Sequence, residues 1–510
     1  FDLDGQSDLY FAQGGSDPPA FEGPRSNQMF RGVKTIATNS NELDFAMLDV
    51  TEPCQATDHR YSMGVTAGDW NQDGFADLVV ANLGDDSLMI NNGDGTYTRH
   101  PIVAPNDQDR VPASVAIADL TGDALPDVFE LSYVDDPTMI FLPQRNEAGQ
   151  VIKAMSPTLY APGPDRICIN DGRVCMSIQR FNTDDTDFRT VLGLIVTDVN
   201  HPPGNEVLVG NDLYPDQLWV RDSSNDRWTD IAPAVGCAIG SRGSKTASMG
   251  IAVGDVDNSG TIDIHITNYQ NRNSSLFLNL GESFLERNVQ YGLADASQAV
   301  LGFGTQTLDY DNDGLLDMVV TNGHIEKAIT IDEPFEQPAQ LFCNLGGRFE
   351  LIGVEDRSGY WTQKHLGRGL ARADFNRDGK SDFVITHLGE SSAMLVNQTN
   401  SDNHWLHIQL VGVQSERDAV GAKVTIGFDG KSMSAWVTAG DGYLARNEPV
   451  IAFGLGKARG PVRVTVAWPS GEIETIEDVT ADQRVLIIEG QREAFSLADV
   501  GRELMKMNGP

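Results

Sequence analysis

At 510 residues with 40% hydrophobic side chains, the chain exceeds one ordinary core and holds enough apolar mass for two domains or one large repeat array. Its 73 acidic residues against 37 Lys and Arg give a formal net charge of −36, which argues against a nucleic-acid partner, because a polyanion is repelled and no basic cluster offsets that field. No stretch approaches the roughly 18 to 20 apolar residues of a membrane span, and Phe1-Asp2-Leu3-Asp4-Gly5 opens without a basic-then-apolar leader.

In chain order, one pattern recurs: an apolar run, then Asp-x-(Asp/Asn)-x-(Asp/Ser)-Gly-x-x-Asp, then a second apolar run. Residues 2–8, DLDGQSD, match its third to ninth positions, so the sequence starts inside a repeat, a start compatible with a leader removed upstream. Clear copies follow at 69–77 (DWNQDGFAD), 119–127 (DLTGDALPD), 255–263 (DVDNSGTID), 309–317 (DYDNDGLLD) and 374–382 (DFNRDGKSD). Between them, 198–206 (DVNHPPGNE) keeps the outer frame but places prolines at the fifth and sixth positions. Short strand signals flank each copy, as MGVTAG before Asp69 and LVVAN after Asp77. A Leu-x-x-Asn strand follows (Leu88 to Asn91, Leu276 to Asn279, Leu341 to Asn344), then a glycine turn and an aromatic residue. Four strands per unit suit propeller blades better than a solenoid.

The expected fold is therefore all-β: a seven-bladed β-propeller over 1–400, a small β-sandwich-like domain over 401–490, and a tail over 491–510 for which a helix is one option. Propellers close by pairing terminal strands, so residues 1–14 should form strands beside another blade. Cys168 and Cys175 flank Ile-Asn-Asp-Gly-Arg-Val, which can turn and bring the sulfurs together. A disulfide and two free thiols both stay open there.

The repeated loop suits a hard cation. Calcium takes six to eight oxygens in a flexible shell, and side chains at positions one, three, five and nine supply most of it. The ligand set is Asp69, Asn71, Asp73, Asp77; Asp119, Thr121, Asp123, Asp127; Asp255, Asp257, Ser259, Asp263; Asp309, Asp311, Asp313, Asp317; Asp374, Asn376, Asp378, Asp382; and, in the partial copy, Asp2, Asp4 and Asp8. Five or six Ca²⁺ per chain are expected, and none at 198–206. Cysteine and histidine are absent from these positions, which argues against zinc and copper. The plain alternative, that Asp, Asn and Gly merely make good turns, predicts no fixed spacing of carboxylates. The five clear loops carry sixteen aspartates, and such clusters repel themselves without a cation.

These loops resemble the FG-GAP/VCBS repeats of integrin α-chain propellers. Farther on, HWLHIQLVG, SERDAVGAKVTI, AGDGYLARNEP, IAFGLG and VTVAWPSGE stand in the order of the ASPIC/UnbV domain. SMGIAVGDVDNSG, FGTQTLDYDNDG and VVTNGHI are similar to the propeller of the same proteins. The resemblance is to the family that includes cartilage acidic protein, many exported bacterial proteins and the UnbV proteins of enediyne clusters. It implies calcium binding and an extracellular or periplasmic location, but no single activity. The prolines of 198–206 and the long 130–197 insertion depart from that pattern.

No GxSxG, HExxH or phosphate-cradling Gly-Lys-Ser/Thr motif is present, and no two of the nine histidines stand at ligand spacing on a recognisable element. The default site is the channel mouth, where segments leading into the inner strands place Arg60, Lys245, Lys364, His365 and Arg368. Arg368, His365, Lys245 and Arg60 are the catalytic candidates, for an anionic or carbonyl ligand. Their alternative role is to neutralise nearby aspartates. Three functions stay open: recognition of a protein or glycan in adhesion or a matrix; a calcium-dependent lyase- or cyclase-type enzyme acting on a small molecule at the mouth; and a self-associating structural subunit of an extracellular assembly. A deep pocket with convergent Arg, Lys and His would favour the enzyme.

Overall fold

The computed structural model describes residues 1–497 except 15–22, 24, 35–44, 103–109, 136–143, 146–150, 154–155, 173–176, 182–187, 200–203, 226, 241–242, 244, 326–333 and 354–358. Cys175 and most of the 491–510 tail lie outside the described residues, and with them the disulfide and the helix.

Seven antiparallel blade sheets follow one another along the chain, with a two-stranded ribbon, Gln144–Arg145 and Val151–Lys153, inside the blade 3 insertion. Blade 2 is typical. Its strands Ser62–Gly68, Asp77–Asn82, Asp86–Asn91 and Tyr97–Ile102 pair in sequence order, with the Asp69 loop joining the first two. Blades 4, 5 and 6 repeat that order from inner strands Val191–Thr197, Ile251–Gly254 and Gly302–Leu308. Blade 3 starts with Val111–Ala118 and Asp127–Val134 and completes its sheet with Arg166–Ile169 and Ser177–Arg180, after the insertion. Blade 7 has three strands, Gly367–Ala373, Asp382–His387 and Ala393–Leu395.

Blade 1 consists of Leu9–Phe11, Gln28–Lys34 and Phe45–Asp49. Its Asp2–Asp8 loop leads into Leu9–Phe11 as the other loops lead into second strands, so these are counterparts of strands two to four. Leu9 and Phe11 pack with Phe375 and Val384 of blade 7, while Tyr10 and Met29 pack with Leu78 and Val80 of blade 2. The first residues thus close the ring as strands between the two neighbouring blades.

Burial sets the composition of the inner strands. Every residue of Val111–Ala118, Val191–Thr197 and Gly302–Leu308 is buried, so they read as continuous small and β-branched runs rather than alternating ones. Neighbouring inner strands also approach closely. A Cβ on Gly64 would lie 2.3 Å from the Ala113 carbonyl oxygen, and one on Gly250 would lie 2.1 Å from that of Phe303. This explains the glycine in MGV and MGI ahead of the loops.

Beyond blade 7, two four-stranded sheets form a sandwich. One has the order Ile451–Gly456, His404–Val411, Gln483–Ile488, Ala494–Ser496; the other is Lys431–Trp436, Lys423–Phe428, Val462–Ala467, Ile473–Val479. His404–Val411 and Gln483–Ile488 pair in parallel. The sandwich core, from Leu406 and Ile408 through Val464 and Ile487, is continuous with the inner strands of blades 3 and 4 through Ala439 and Tyr443. Propeller and sandwich therefore share one hydrophobic interior.

Candidate functional site

The five clear loops share one geometry. In blade 6, Asp309 accepts the amides of Asp313 (3.0 Å) and Gly314 (2.7 Å). Asp317 accepts those of Asn344 (2.8 Å) and Tyr310 (3.0 Å). The same four bonds recur at Asp255 and Asp263, and at Asp374 and Asp382. In blade 2, Asp69 holds Asp73 and Gly74, and Asp77 holds Asn91.

Two left-handed residues shape each turn. Position four has φ 57° at Gln72, 55° at Asn258, 60° at Asn312 and 61° at Arg377, and position six has 98°, 83°, 93° and 83° at Gly74, Gly260, Gly314 and Gly379. In blade 3 the sixth residue is Ala124, held at φ 66°, a conformation that is strained for a residue with a side chain.

Positions one and nine are buried carboxylates, Asp119 alone being only partly buried, whereas the residues at three and five are partly or fully exposed. Burial, with the neighbouring aspartates, pushes Asp309, Asp317 and Asp263 up to about 8, and Asp77, Asp127, Asp374 and Asp382 to about 7. Such groups favour a bound proton or a cation. Ligand atoms of Asp255, Asp257 and Asp263, and of Asp309, Asp311 and Asp317, lie within 4.8 Å of one another. In blade 3 the Thr121 Oγ1 is buried without a hydrogen-bond partner, at the third ligand position. An all-oxygen set with a turn that permits convergence fits calcium.

The loops differ in how far the protein neutralises them. Arg31 pairs with Asp2 at 2.5 Å and Asp4 at 3.0 Å in blade 1, and Arg417 pairs with Asp69 at 3.1 Å in blade 2. In blade 4, the Val199 amide donates to Glu206 at 2.7 Å, while 200–203 lies outside the described residues. Among the described residues, the loop carboxylates of blades 5 and 6 are the ones whose ligand atoms converge in this way without an ion pair to a cationic side chain, so they are the strongest metal candidates.

The C-terminal sandwich is seated on these loops. The Asp69 amide donates to Asp418 (2.8 Å), and Lys423 donates to the Gly260 carbonyl (2.7 Å). Asn403 donates to the Asp311 carbonyl (2.9 Å), and the Gly456 amide to that of Asn312 (2.9 Å). Glu448 gathers three contacts from two blades: Ser7 (2.9 Å), the Asp374 amide (3.2 Å) and Arg377 (2.8 Å). Asn205 bridges the Asp119 and Val420 carbonyls.

From this face the segment 438–447 enters the channel. Ala439 exchanges both backbone hydrogen bonds with Val196 of blade 4 (2.9 and 2.8 Å), and Gly442 exchanges both with Ile251 of blade 5 (3.0 and 2.9 Å). Asn447 donates to Gln306 of blade 6 (2.8 Å) and accepts the Arg372 amide of blade 7 (2.9 Å). Tyr443, at the tip, meets the Phe303 ring with centroids 5.0 Å apart.

Two family models match the chain: the FG-GAP-like repeat over residues 69–130 and ASPIC and UnbV over residues 412–494. The chain thus matches an FG-GAP-like repeat in its propeller and ASPIC and UnbV in its sandwich. The plug segment lies within the ASPIC and UnbV match. Curated relatives include cartilage acidic protein 1 of Xenopus tropicalis, 28% identical over 284 residues, and that of Homo sapiens, 26% identical over 282. Each match covers 45% of this chain, and 43% and 42% of the respective relatives, so it spans under half their length. Among solved structures, the BP39L lectin from Burkholderia pseudomallei is 11% identical with a TM-score of 0.46, covering 78% of this chain and 94% of that one. A rhamnogalacturonan lyase, YesW, is 13% identical with a TM-score of 0.35, covering 85% and 73%.

The channel-mouth residues do not converge on one pocket. Arg368 lies 3.9 Å above the Phe303 ring and donates to the carbonyls of Gly367 (2.8 Å), Gly323 and His324 (both 3.3 Å), and burial lowers its pKa to about 10. Arg60 donates to the Asp85 carbonyl (2.9 Å) and Ser87 (3.0 Å). Lys245 stands 5.3 Å from the Tyr214 ring centre. His365 pairs with Glu390 at 3.1 Å. Sequence reasoning missed Asp418 and Glu448, which close on the loops from the other domain. It also missed the buried Arg110, paired with Asp86 (2.6 Å) and Glu130 to join blades 2 and 3. No helix among the described residues is long and apolar enough to cross a membrane.

Proposed function

We propose that the chain is a calcium-stabilised, exported recognition protein of the matrix type. In this reading, Ca²⁺ in the loops of blades 2, 3, 5, 6 and 7 ties propeller and sandwich into one body. A protein or neutral glycan ligand meets the opposite rim, formed by the segments that lead into the inner strands.

The observation that carries the reading is the plug. Residues 438–447 occupy the channel where a small-molecule site would lie, and beside them a cavity of about 60 Å³ remains, lined by Arg372, Asp441, Gln306 and Asn447. That is room for a few waters rather than an organic substrate. The relatives named cartilage acidic protein 1 support a matrix setting. The strongly negative surface favours a neutral or basic partner over an anionic polysaccharide.

The test is binding of the calcium-loaded chain to immobilised matrix proteins and neutral glycans. Saturable binding that Arg60→Ala or Lys245→Ala weakens, with the melting temperature unchanged, is the expected result. Binding that maps instead to the loop face, or none at full calcium occupancy, would reject the reading.

A further inference from the structure

On blade 7, at the rim opposite the acidic loops, the hairpin register joins residues far apart in sequence. Gly367 of the inner strand pairs with His387 of the second strand, so His365, two residues earlier, comes beside His387, and the following turn brings Glu390. One ligand atom from each of these three lies within 4.8 Å of the others.

Several features show how the three side chains are held. The His365 backbone is fixed by a reciprocal pair of hydrogen bonds with Gln337 (2.8 and 3.0 Å). His365 Nδ1 is 3.1 Å from Glu390 Oε1, whereas its Nε2 is buried with no hydrogen-bond partner. His387 Nδ1 is 2.7 Å from the Ser391 carbonyl. A carbonyl only accepts, so Nδ1 carries the proton and Nε2 presents its lone pair. This is the outer-shell arrangement that sets a histidine up as a metal ligand. The Tyr360 hydroxyl donates to that Nε2 (2.8 Å), a hydrogen bond that a metal on Nε2 would replace.

Ring spacing agrees. Two imidazoles bound at about 2.0–2.1 Å and near a tetrahedral angle hold their ring centres about 5 Å apart; here the centres of His365 and His387 are 4.8 Å apart. Two nitrogens and one carboxylate suit a first-row divalent ion, in contrast to the all-oxygen loops across the ring. The Glu390 side chain is 42% exposed and that of His365 13%, so the cluster opens to solvent on the carboxylate side and is walled by aromatic rings on the other.

We propose that His365, His387 and Glu390 bind a first-row divalent transition metal such as Zn²⁺, with the Tyr360 hydroxyl beside its open coordination position. The site is separate from the calcium loops and stands or falls independently of the function proposed above.

The experiment titrates Zn²⁺, and then Co²⁺, into the full chain saturated with Ca²⁺, so that the acidic loops are already filled. One saturable equivalent is expected. Loss of an outer-shell partner alone weakens metal sites roughly 10- to 100-fold, so the double variant His365→Ala/His387→Ala should weaken binding at least that much, and Glu390→Gln should weaken it measurably. Cobalt in the wild type should show the intense visible bands of a four- or five-coordinate nitrogen-containing site. That spectrum decides the matter even if the double variant does not fold, because cobalt held by carboxylates and water alone absorbs weakly. No saturable equivalent in the wild type, or only the weak all-oxygen spectrum, would overturn the proposal. So would equal affinity in a folded double variant. The cluster would then be an ion pair and a Tyr–His hydrogen bond only.

Discussion

Adding a strong chelator to the calcium-loaded chain is expected to lower its melting temperature by roughly 15 °C or more. A ligand held at 100 to 1,000 times its dissociation constant contributes about 2.7 to 4.1 kcal/mol, and five loops contribute together. For a protein of this size each kcal/mol moves the midpoint by about 2 °C or less. The loss should be felt between domains as well as within blades. Asp418, Lys423, Asn403 and Glu448 all contact the loop turns, so emptied, self-repelling loops loosen the seat of the sandwich. Limited proteolysis should then cut the connector at 397–403 faster in chelator than in calcium. Identical melting curves with and without chelator would remove calcium from the account.

The second large effect is expected at Gly442, whose Val substitution should separate the domains without emptying the loops. Gly442 has φ 62°, and a Cβ there would meet the Gln306 amide nitrogen at 2.9 Å and the Thr305 carbonyl at 3.0 Å. A β-branched residue is doubly unsuited, being strained at positive φ and lacking space against blade 6. Withdrawal of the plug breaks the reciprocal pairing with Ile251 and uncovers Phe303 and Arg368. A cost of about 3–5 kcal/mol is expected, read as a lower, broader melt with a separate sandwich transition. Unchanged cooperativity in Gly442→Val would show that the plug is a passive filler.

The acidic loops were legible because their information is local. Asp309 and Asp317 are eight residues apart and organise the amides of Tyr310, Asp313 and Gly314 between them, so spacing alone betrays the shape. Blade number and ring closure followed from counting those loops. The left-handed fourth position was less visible, since Gln72 and Arg377 adopt it without glycine; the turn imposes it on whatever residue stands there.

Long-range assembly accounts for what stayed hidden. Asp418 reaches Asp69 across 349 positions, and Glu448 reaches Ser7 across 441. Neither pairing has a periodic signal. AGDGYLARNEP was recognisable as a motif, yet its role as a channel plug depends on how the sandwich is seated. The channel mouth therefore looked like a pocket from the lead-in residues alone. His365 and His387 were likewise unlinked until the Gly367–His387 register paired their strands.

Metal analysis of the dialysed, folded chain tests the central claim most directly. About five Ca²⁺ per chain are predicted, with those of blades 5 and 6 held longest against dialysis. Asp309→Asn with Asp317→Asn should remove one equivalent and loosen the Asn403 and Gly456 contacts of the sandwich. Fewer than about three Ca²⁺ per folded chain, or a count unchanged by the double substitution, would contradict the account.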